Sequence, residues 1–339
     1  MNDLKGSTVL VAGGAGFVGS AVARHVLALG ARCLCFDNFQ VGRPENVAGL
    51  GRNLTVVQGD ALDSWHVLKA FRGNKIDFLI NCIGDTFVSA AYHAPRRFID
   101  TNISANLNLL LAAKEFGVAR ALYVSSTEVY GEATGMIGEA APLAPVNTYA
   151  VTKLAADRMC YSLHVEHGIP VVIARIFNCF GPRATHPYVI PEIIAQLAKG
   201  RIVRLGNIEA ERDFTYVDDT ADALIRLLTA PSCVGQAINV GSGNLVSVRW
   251  LVDAIARIIG VPDPEIRVDP GRLRRRDVAR YHCDNRTLRA LTGWTPSTSI
   301  DDGLCRTVEW YRAHGEAWSW ELRNPDDPTG VTASPPPPE

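Results

Sequence analysis

Residues 7–19 read STVLVAGGAGFVG, the stretch that most restricts what this chain can become. Thr8, Val9, Leu10 and Val11 form an apolar, β-branched run that reads as a strand buried on both faces of a parallel sheet. Gly13, Gly16 and Gly19 follow at fixed spacing, and residues 20–29 read as a helix closed by Gly30. Strand, glycine turn and helix together cradle a phosphate. Gly13 permits the tight turn, Gly16 lets backbone approach a pyrophosphate, and Gly19 lets the helix pack close to the strand, while the helix N-terminus attracts the anion. A glycine triplet alone is weak, but here an acid, Asp37, ends the expected second strand at 32–36. Asp37 can accept hydrogen bonds from both hydroxyls of an adenosine ribose and would repel a 2′-phosphate, so NAD is expected over NADP. Arg43, six residues on, would soften that preference. Phe17 and Val18 in the turn, and Asn38 beside Asp37, are expected to line the same cofactor.

At 339 residues the chain can bury a large core and is expected to form two lobes. It is 47% hydrophobic with a net charge of −1, so it carries no overall nucleic-acid or membrane signature. Its apolar runs are too short to span a bilayer. The residues MNDLKGS ahead of the first strand are read as leaving no room for a signal peptide, and a cytoplasmic location is expected. Cys33, Cys35 and Cys82 fall in expected buried strands and Cys160 in a helix, with no CxxC pair and no HExxH motif. Reduced thiols fit this better than a disulfide framework or zinc, and no metal is expected.

Residues 54–58, LTVVQ, read as a third strand, followed by Gly59-Asp60-Ala61. Asp60 has two readings, a partner for the adenine amino group of a dinucleotide or the cap of the next helix, and Ala61 is placed with it at the cofactor. A fourth strand at 76–82, a helix from 95 to 116 carrying Asn102, and a fifth strand at 121–125 continue the alternation. Alternation of this kind means an α/β fold with a doubly wound parallel sheet, whose ligands bind beyond the carboxyl ends of the strands.

At that edge stands Ser125-Ser126-Thr127-Glu128-Val129-Tyr130-Gly131. A proline-rich loop and Asn147-Thr148-Tyr149-Ala-Val-Thr-Lys153 come next. Tyr149 and Lys153 are four apart and share one helix face. A lysine cation lowers a neighbouring phenol's pKa, and an oxidised nicotinamide adds to that. The expectation is a phenolate poised near neutral pH, a competent base for a sugar hydroxyl. Further on, residues 189–197 start a helix, 215–228 read as a strand–helix piece returning to the first lobe, and 246–259 read as an amphipathic helix. Arg272, Arg274, Arg275, Arg276 and Arg280 form the one dense basic patch. Arginine forks suit phosphate oxygens, so a diphosphate is the expected partner; nucleic acid would need a wider basic face.

GGAGFVG, GD at 59–60, SSTEVYG, YAVTK, RIFNCFGPR at 175–183, RDFTYVDDTADAL at 212–224, INVGSG at 238–243, and GW-P with DDGL at 293–304 stand in one order over about 300 residues. In these the chain resembles the extended short-chain dehydrogenase/reductases, specifically the nucleotide-sugar epimerase/dehydratase family. The resemblance implies a Rossmann NAD lobe at 1–178, with 215–240 returning to it, and a smaller mixed α/β lobe at 179–322 gripping a nucleoside-diphosphate sugar. Residues 323–339, rich in proline, read as a disordered tail. It implies Tyr149 as base with Lys153 as partner, both also touching the cofactor, and Ser126 holding the hydroxyl being oxidised. Asn178, Arg183, Arg212, Arg274 and Arg276 would meet the substrate, Asn178 at its phosphate. A homodimer is expected as well.

Members of this family oxidise a sugar, usually at C4, and the outcome depends on what stands beside the ketone. A base at C5 allows water to leave across C5 and C6; a C6 carboxylate leaves as CO2; with neither, C4 inverts. Glu128, two positions before Tyr130, stands where dehydratases and decarboxylases of the family carry Glu and epimerases a small or hydroxyl residue. It reads as the C5 base or as a structural carboxylate. Thr127 replaces an Asp of some dehydratases and completes the expected catalytic set. Ala91 stands where many members carry a substrate-touching Ser. The favoured reading is a 4,6-dehydratase-type reaction. The alternatives are a 4-epimerase, a uronic-acid decarboxylase, and a non-enzymatic NAD sensor, which retention of Ser126, Tyr149 and Lys153 disfavours.

Overall fold

The computed structural model describes residues 4–274 and 276–315, so Arg275 and the expected tail at 323–339 lie outside the described residues. In chain order the first half runs β1 (Thr8–Ala12), α1 (Phe17–Ala28), β2 (Arg32–Asp37), β3 (Leu54–Gln58), α2 (Ser64–Phe71), β4 (Phe78–Asn81), α3 (Val88–Ala91), α4 (Pro95–Ile99), α5 (Ala105–Glu115), β5 (Arg120–Ser126), α6 (Thr148–His167) and β6 (Val171–Ile176). The second half runs β7 (Asn178–Phe180), α7 (Val189–Lys199), β8 (Ile202–Leu205), β9 (Glu211–Tyr216), α8 (Val217–Thr229), β10 (Ala237–Val240), β11 (Leu245–Ser247), α9 (Val248–Ile259), β12 (Glu265–Val268), β13 (Arg280–Tyr281), α10 (Arg286–Thr292) and α11 (Ile300–His314).

Seven parallel strands form the central sheet in the order β10-β6-β5-β4-β1-β2-β3. Both faces are covered, and the side chains of β1 show how. Val9 and Val11 enter the core shared with α1 and α8, while Leu10 and Ala12 point the other way, into the core shared with α2, α5 and α6. Strand alternation with two buried faces explains why β1 reads as an uninterrupted apolar run. The strand order reverses between β1 and β4, which opens a crevice at their carboxyl ends. Ser125, Ser126, Thr127 and Glu128, at the end of β5, line this crevice and its continuation between the lobes.

The second lobe combines a small sheet of β7, β9, β11 and β13, a β8–β12 pair, and helices α7, α9 and α11. The stretch expected to return to the first lobe at 215–228 divides. Its strand end is part of β9 in the small sheet, whereas α8 packs against α1 and β10 extends the central sheet. Asp219 on α8 receives the backbone N–H groups of Ser297 and Thr298, and its carbonyl accepts the Trp294 indole N–H. That tie is the physical content of the GW-P motif. The helix expected at 95–116 is interrupted by a π-turn over Asp100–Ser104. Its cause is Asn102, fully buried, whose amide accepts the Asp85 N–H at 2.7 Å and donates to Thr152 Oγ1 at 2.9 Å. The extra residue in that turn directs Asn102 to the Asp85 backbone and Thr152 instead of along the helix face. Among the described residues no helix is long and apolar enough to cross a membrane. All eight cysteines are unpaired.

Candidate active site

The glycine turn begins the site. Gly13 has φ +72°, and a Cβ there would stand 3.0 Å from the Cys82 carbonyl carbon. A Cβ on Gly19 would lie 2.1 Å from the Gly13 oxygen, so α1 can start this close to the turn only with glycine there. Gly16 caps α1 without a side chain, which leaves the helix N-terminus open toward the crevice. Asp37 closes the far wall. Its Oδ2 accepts the Ala15 N–H and its Oδ1 the Phe39 N–H, each at 2.9 Å. Burial pushes its carboxyl above the usual range although these bonds oppose the rise. The same carboxylate therefore pins the turn as well as facing the crevice. Phe17, Val18, Asn38, Asp60 and Ala61 line the crevice too. Of the two readings of Asp60, the helix cap fails: Asp63 caps α2, accepting from Trp65, while Asp60 accepts the Leu62 N–H and an amide N–H of Asn38.

Crevice and interlobe space form one cleft of about 1670 Å3. That exceeds the roughly 300–1,000 Å3 of a single small-ligand site, so cofactor and substrate can lie side by side. Ser126 ends β5, and its Oγ accepts the Glu128 N–H at 3.2 Å, starting the 3-10 turn over Thr127–Tyr130. Beneath the turn, Tyr130 donates to Asn239 Oδ1 at 2.7 Å and accepts from Arg175. Arg175 in turn grips Asp157 with two nitrogens, fully buried, and Ser125 donates to the same carboxylate. This network across β5, β6, β10 and α6 fixes the floor from which Thr127 and Glu128 project.

Tyr149, on the first turn of α6, is hydrogen-bonded to Ser126, and Phe98 meets its ring edge-on at 6.4 Å. Lys153, one turn on, donates to the Val124 carbonyl and stands 4.6 Å from the Tyr123 ring centre. Burial lowers the Lys153 ammonium to about 8. The phenol departs from expectation. Burial pushes the Tyr149 phenol well above its ordinary value, Glu128, Tyr188 and Asp85 push the same way, and only the Ser126 bond opposes them. With the protein's own groups alone, desolvation of the phenolate outweighs the lysine.

Glu128 lines the cleft with its side chain 15% exposed. Its Oε2 accepts from Asn147 Nδ2 at 2.7 Å, and its Oε1 lies 3.8 Å from Arg274 Nη1. Thr127 is buried at the cleft wall, and its hydroxyl has no partner among the described residues. Ala91 does not reach the cleft. It packs with Val88, Ala90 and Phe98 behind Tyr149, and Ser89 lines the cleft instead.

The arginines separate. Arg212, nearly buried, donates to Asp277 at 3.1 Å and lies 5.1 Å over the Tyr281 ring; burial lowers its pKa, with Asp277 opposing. Arg272 and Arg274 line the same end of the cleft, Arg272 paired with Glu192 at 2.8 Å. Arg276 is exposed at a bend of the chain and lines no part of the cleft. Arg280 is drawn away to Glu211. Arg183 also leaves the set: with φ +68° it turns its guanidinium over Trp310 on α11, 5.7 Å from the ring centre. Asn178 lines the cleft at the start of β7.

Several cleft residues escape sequence reasoning. Asp85 lies in the loop after β4, bound to Arg97 through one oxygen while the other has no hydrogen-bond partner among the described residues. Its place beyond a central strand was the available signal. Thr86 and Tyr188 meet at 2.7 Å across the cleft, and Phe87 stacks on His186 at 5.4 Å; nothing in their sequence context marks these pairs.

The sequence profile of the NAD dependent epimerase/dehydratase family matches residues 9–241. A dTDP-glucose 4,6-dehydratase of Xanthomonas campestris pv. campestris is 30% identical over 330 residues, covering 90% of this chain and 93% of its own. A UDP-glucose 4-epimerase of Streptomyces lividans is 31% identical over 327 residues, covering 91% and 97%. The crystal structure of the dTDP-glucose 4,6-dehydratase DesIV of Streptomyces venezuelae, solved with NAD bound, superposes with a TM-score of 0.86 at 28% identity, covering 92% of this chain and 99% of that one.

Proposed function

The chain belongs to the NAD-dependent epimerase/dehydratase family, and from that premise we propose that it acts on a nucleoside-diphosphate hexose through a transient 4-keto sugar and eliminates water across C5 and C6. The observation that carries this reading is Glu128, a carboxylate lining the cleft beside Ser126 and Tyr149, held by Asn147 through one oxygen with the other 3.8 Å from Arg274. The glycine cradle fits NAD: Gly13, Gly16 and Gly19 would take the pyrophosphate, Asp37 the adenosine ribose, and Tyr149 with Lys153 the nicotinamide end. Bound NAD supplies the acceptor and later donor of the hydride, along with a cationic ring beside the phenol.

The chain's own groups do the rest. Tyr149 accepts the proton of the C4 hydroxyl, which Ser126 holds, and Lys153 steadies the phenolate. Glu128 takes the C5 proton, made acidic by the adjacent ketone. The proton lost from C5 and the hydroxyl lost from C6 make up the water, and Thr127 offers its unpartnered hydroxyl to the leaving oxygen. A second reading, 4-epimerisation, draws support from Thr127 as well, because a neutral hydroxyl stands where elimination is better served by an acid. A panel of dTDP- and UDP-hexoses and a UDP-uronic acid, incubated in heavy water and read by mass and by deuterium position, separates loss of water from inversion and from loss of CO2.

NAD is expected to bind more tightly than NADP, since a 2′-phosphate would meet the buried Asp37 carboxylate. Equal or tighter NADP binding in calorimetry would overturn the assignment. Arg274→Met is expected to weaken binding of the free nucleoside diphosphate by about 1.5–3 kcal/mol, the worth of a charge-assisted bond. Arg276→Met, outside the cleft, is expected to change it little. The reverse ranking would move the diphosphate elsewhere.

A homodimer is proposed through the outer faces of α5 and α6, where Leu111, Val151, Tyr161 and Val165 are exposed. Val165→Asp should shift the sedimenting mass toward the monomer if these faces pair; an unchanged mass sinks the idea. A reducing, cytoplasmic setting is proposed as well, consistent with eight unpaired cysteines.

A further inference from the structure

Asn147 makes two hydrogen bonds with one amide. Its Oδ1 accepts the Ala150 N–H at 2.8 Å and caps α6, the helix that carries Tyr149 and Lys153. Its Nδ2 donates to Glu128 Oε2 at 2.7 Å, across 19 residues of chain. Only one orientation of the amide satisfies both contacts, so the cap decides which atom faces Glu128. Asp, Ser and Asn cap helices about equally well, but of the three only Asn has an amide N–H to donate while its oxygen caps. Capping therefore does not account for the amide; Glu128 does.

The bond leaves Glu128 in a defined state. Oε2 takes the amide N–H, and Oε1 lies 3.8 Å from Nη1 of Arg274, an ion pair with a residue that lines the same cleft. The Glu128 N–H donates in turn to Ser126 Oγ, the hydroxyl that also bonds Tyr149. The groups assigned to oxidation and the group assigned to elimination thus hang from the same helix start.

We propose that Asn147 is a positioning residue for the elimination step: it aims the second oxygen of Glu128 at the substrate and ties that aim to the helix bearing Tyr149. The inference rests on Glu128 being the C5 base.

Two variants of the NAD-loaded enzyme test it. Asn147→Ser keeps a cap but has no amide to reach Glu128. With dTDP-glucose, and UDP-glucose in parallel, water loss should slow about tenfold or more while formation of reduced nicotinamide stays within about threefold, a positioning loss confined to one proton transfer. Asn147→Asp keeps the cap and the shape but sets a second carboxylate against Glu128. A like charge makes Glu128 hold its proton to higher pH, and the base works only without that proton. The acid limb of water loss should therefore move up by about one pH unit or more. The same rise should appear, with no substrate present, in a 13C titration of the Glu128 carboxyl. If the limb and the titration stay put, or if Asn147→Ser slows both steps equally, Asn147 is a helix cap and nothing more. Should Glu128→Gln leave water loss intact, the assignment of Glu128 fails and this inference falls with it. Should Glu128→Gln block water loss while both Asn147 variants behave as the parent, only the inference falls.

Discussion

Tyr149→Phe is expected to cost on the order of 10²–10⁴ in turnover, the range for removing one acid–base group, while NAD affinity and fold persist. The fold should persist because the substitution removes a buried hydroxyl and strands nothing costly. Ser126, its partner, still accepts the Glu128 N–H, and the ring keeps its edge-on contact with Phe98. The pH profile sharpens the test. Burial raises the Tyr149 phenol, with neighbouring Glu128 and Asp85 adding to the rise. A base acts when deprotonated, so turnover should climb with pH along a limb that belongs to Tyr149 and should vanish in the variant. Bound NAD would lower that limb by bringing a positive ring to the phenol. Near-normal turnover in Tyr149→Phe would refute the assignment of the base.

How far the residues announced all this depends on the range of the forces involved. The glycine cradle was legible because its main constraint is local: Gly13 takes φ +72°, and a Cβ on Gly19 would meet the Gly13 oxygen six residues back. Tyr149 and Lys153 were legible as one helix face for the same reason. Their electrostatics were not, because desolvation depends on how completely α3, α4 and the sheet cover the phenol, and coverage reversed the sign expected from the lysine. The π-turn at Asp100–Ser104 escaped notice because its cause, the bond from Asn102 to the Asp85 backbone, is tertiary. The arginine cluster was visible as density but not as direction. Asp277 holds Arg212 at the cleft, Glu211 draws Arg280 off, and a bend exposes Arg276. Asn147 could be read as a cap, yet its second contact lies beyond a proline-rich loop whose path no periodicity predicts.

Glu128→Gln separates the two readings of the reaction, and it should do so by splitting the sequence of steps. Oxidation at C4 calls on Ser126, Tyr149 and Lys153, none of which the substitution removes. The amide keeps the size of the side chain, and its oxygen can still accept the Asn147 N–H. What it cannot do is accept a proton from C5. Reduced nicotinamide should therefore accumulate after mixing with a substrate nucleotide sugar, visible in absorbance, with no water lost and turnover reduced by on the order of 10²-fold or more. If C4 inversion is the true outcome, C5 is never deprotonated, and Glu128→Gln should leave turnover nearly intact. Deuterated water gives an independent reading on the parent enzyme. Elimination followed by hydride return places solvent deuterium at C5, because the proton Glu128 removes is replaced from solvent. Inversion at C4 places none, because the hydride leaves and returns at one carbon without meeting water. An unlabelled, C4-inverted product together with an active Glu128→Gln variant would make Glu128 a structural carboxylate and the enzyme a 4-epimerase.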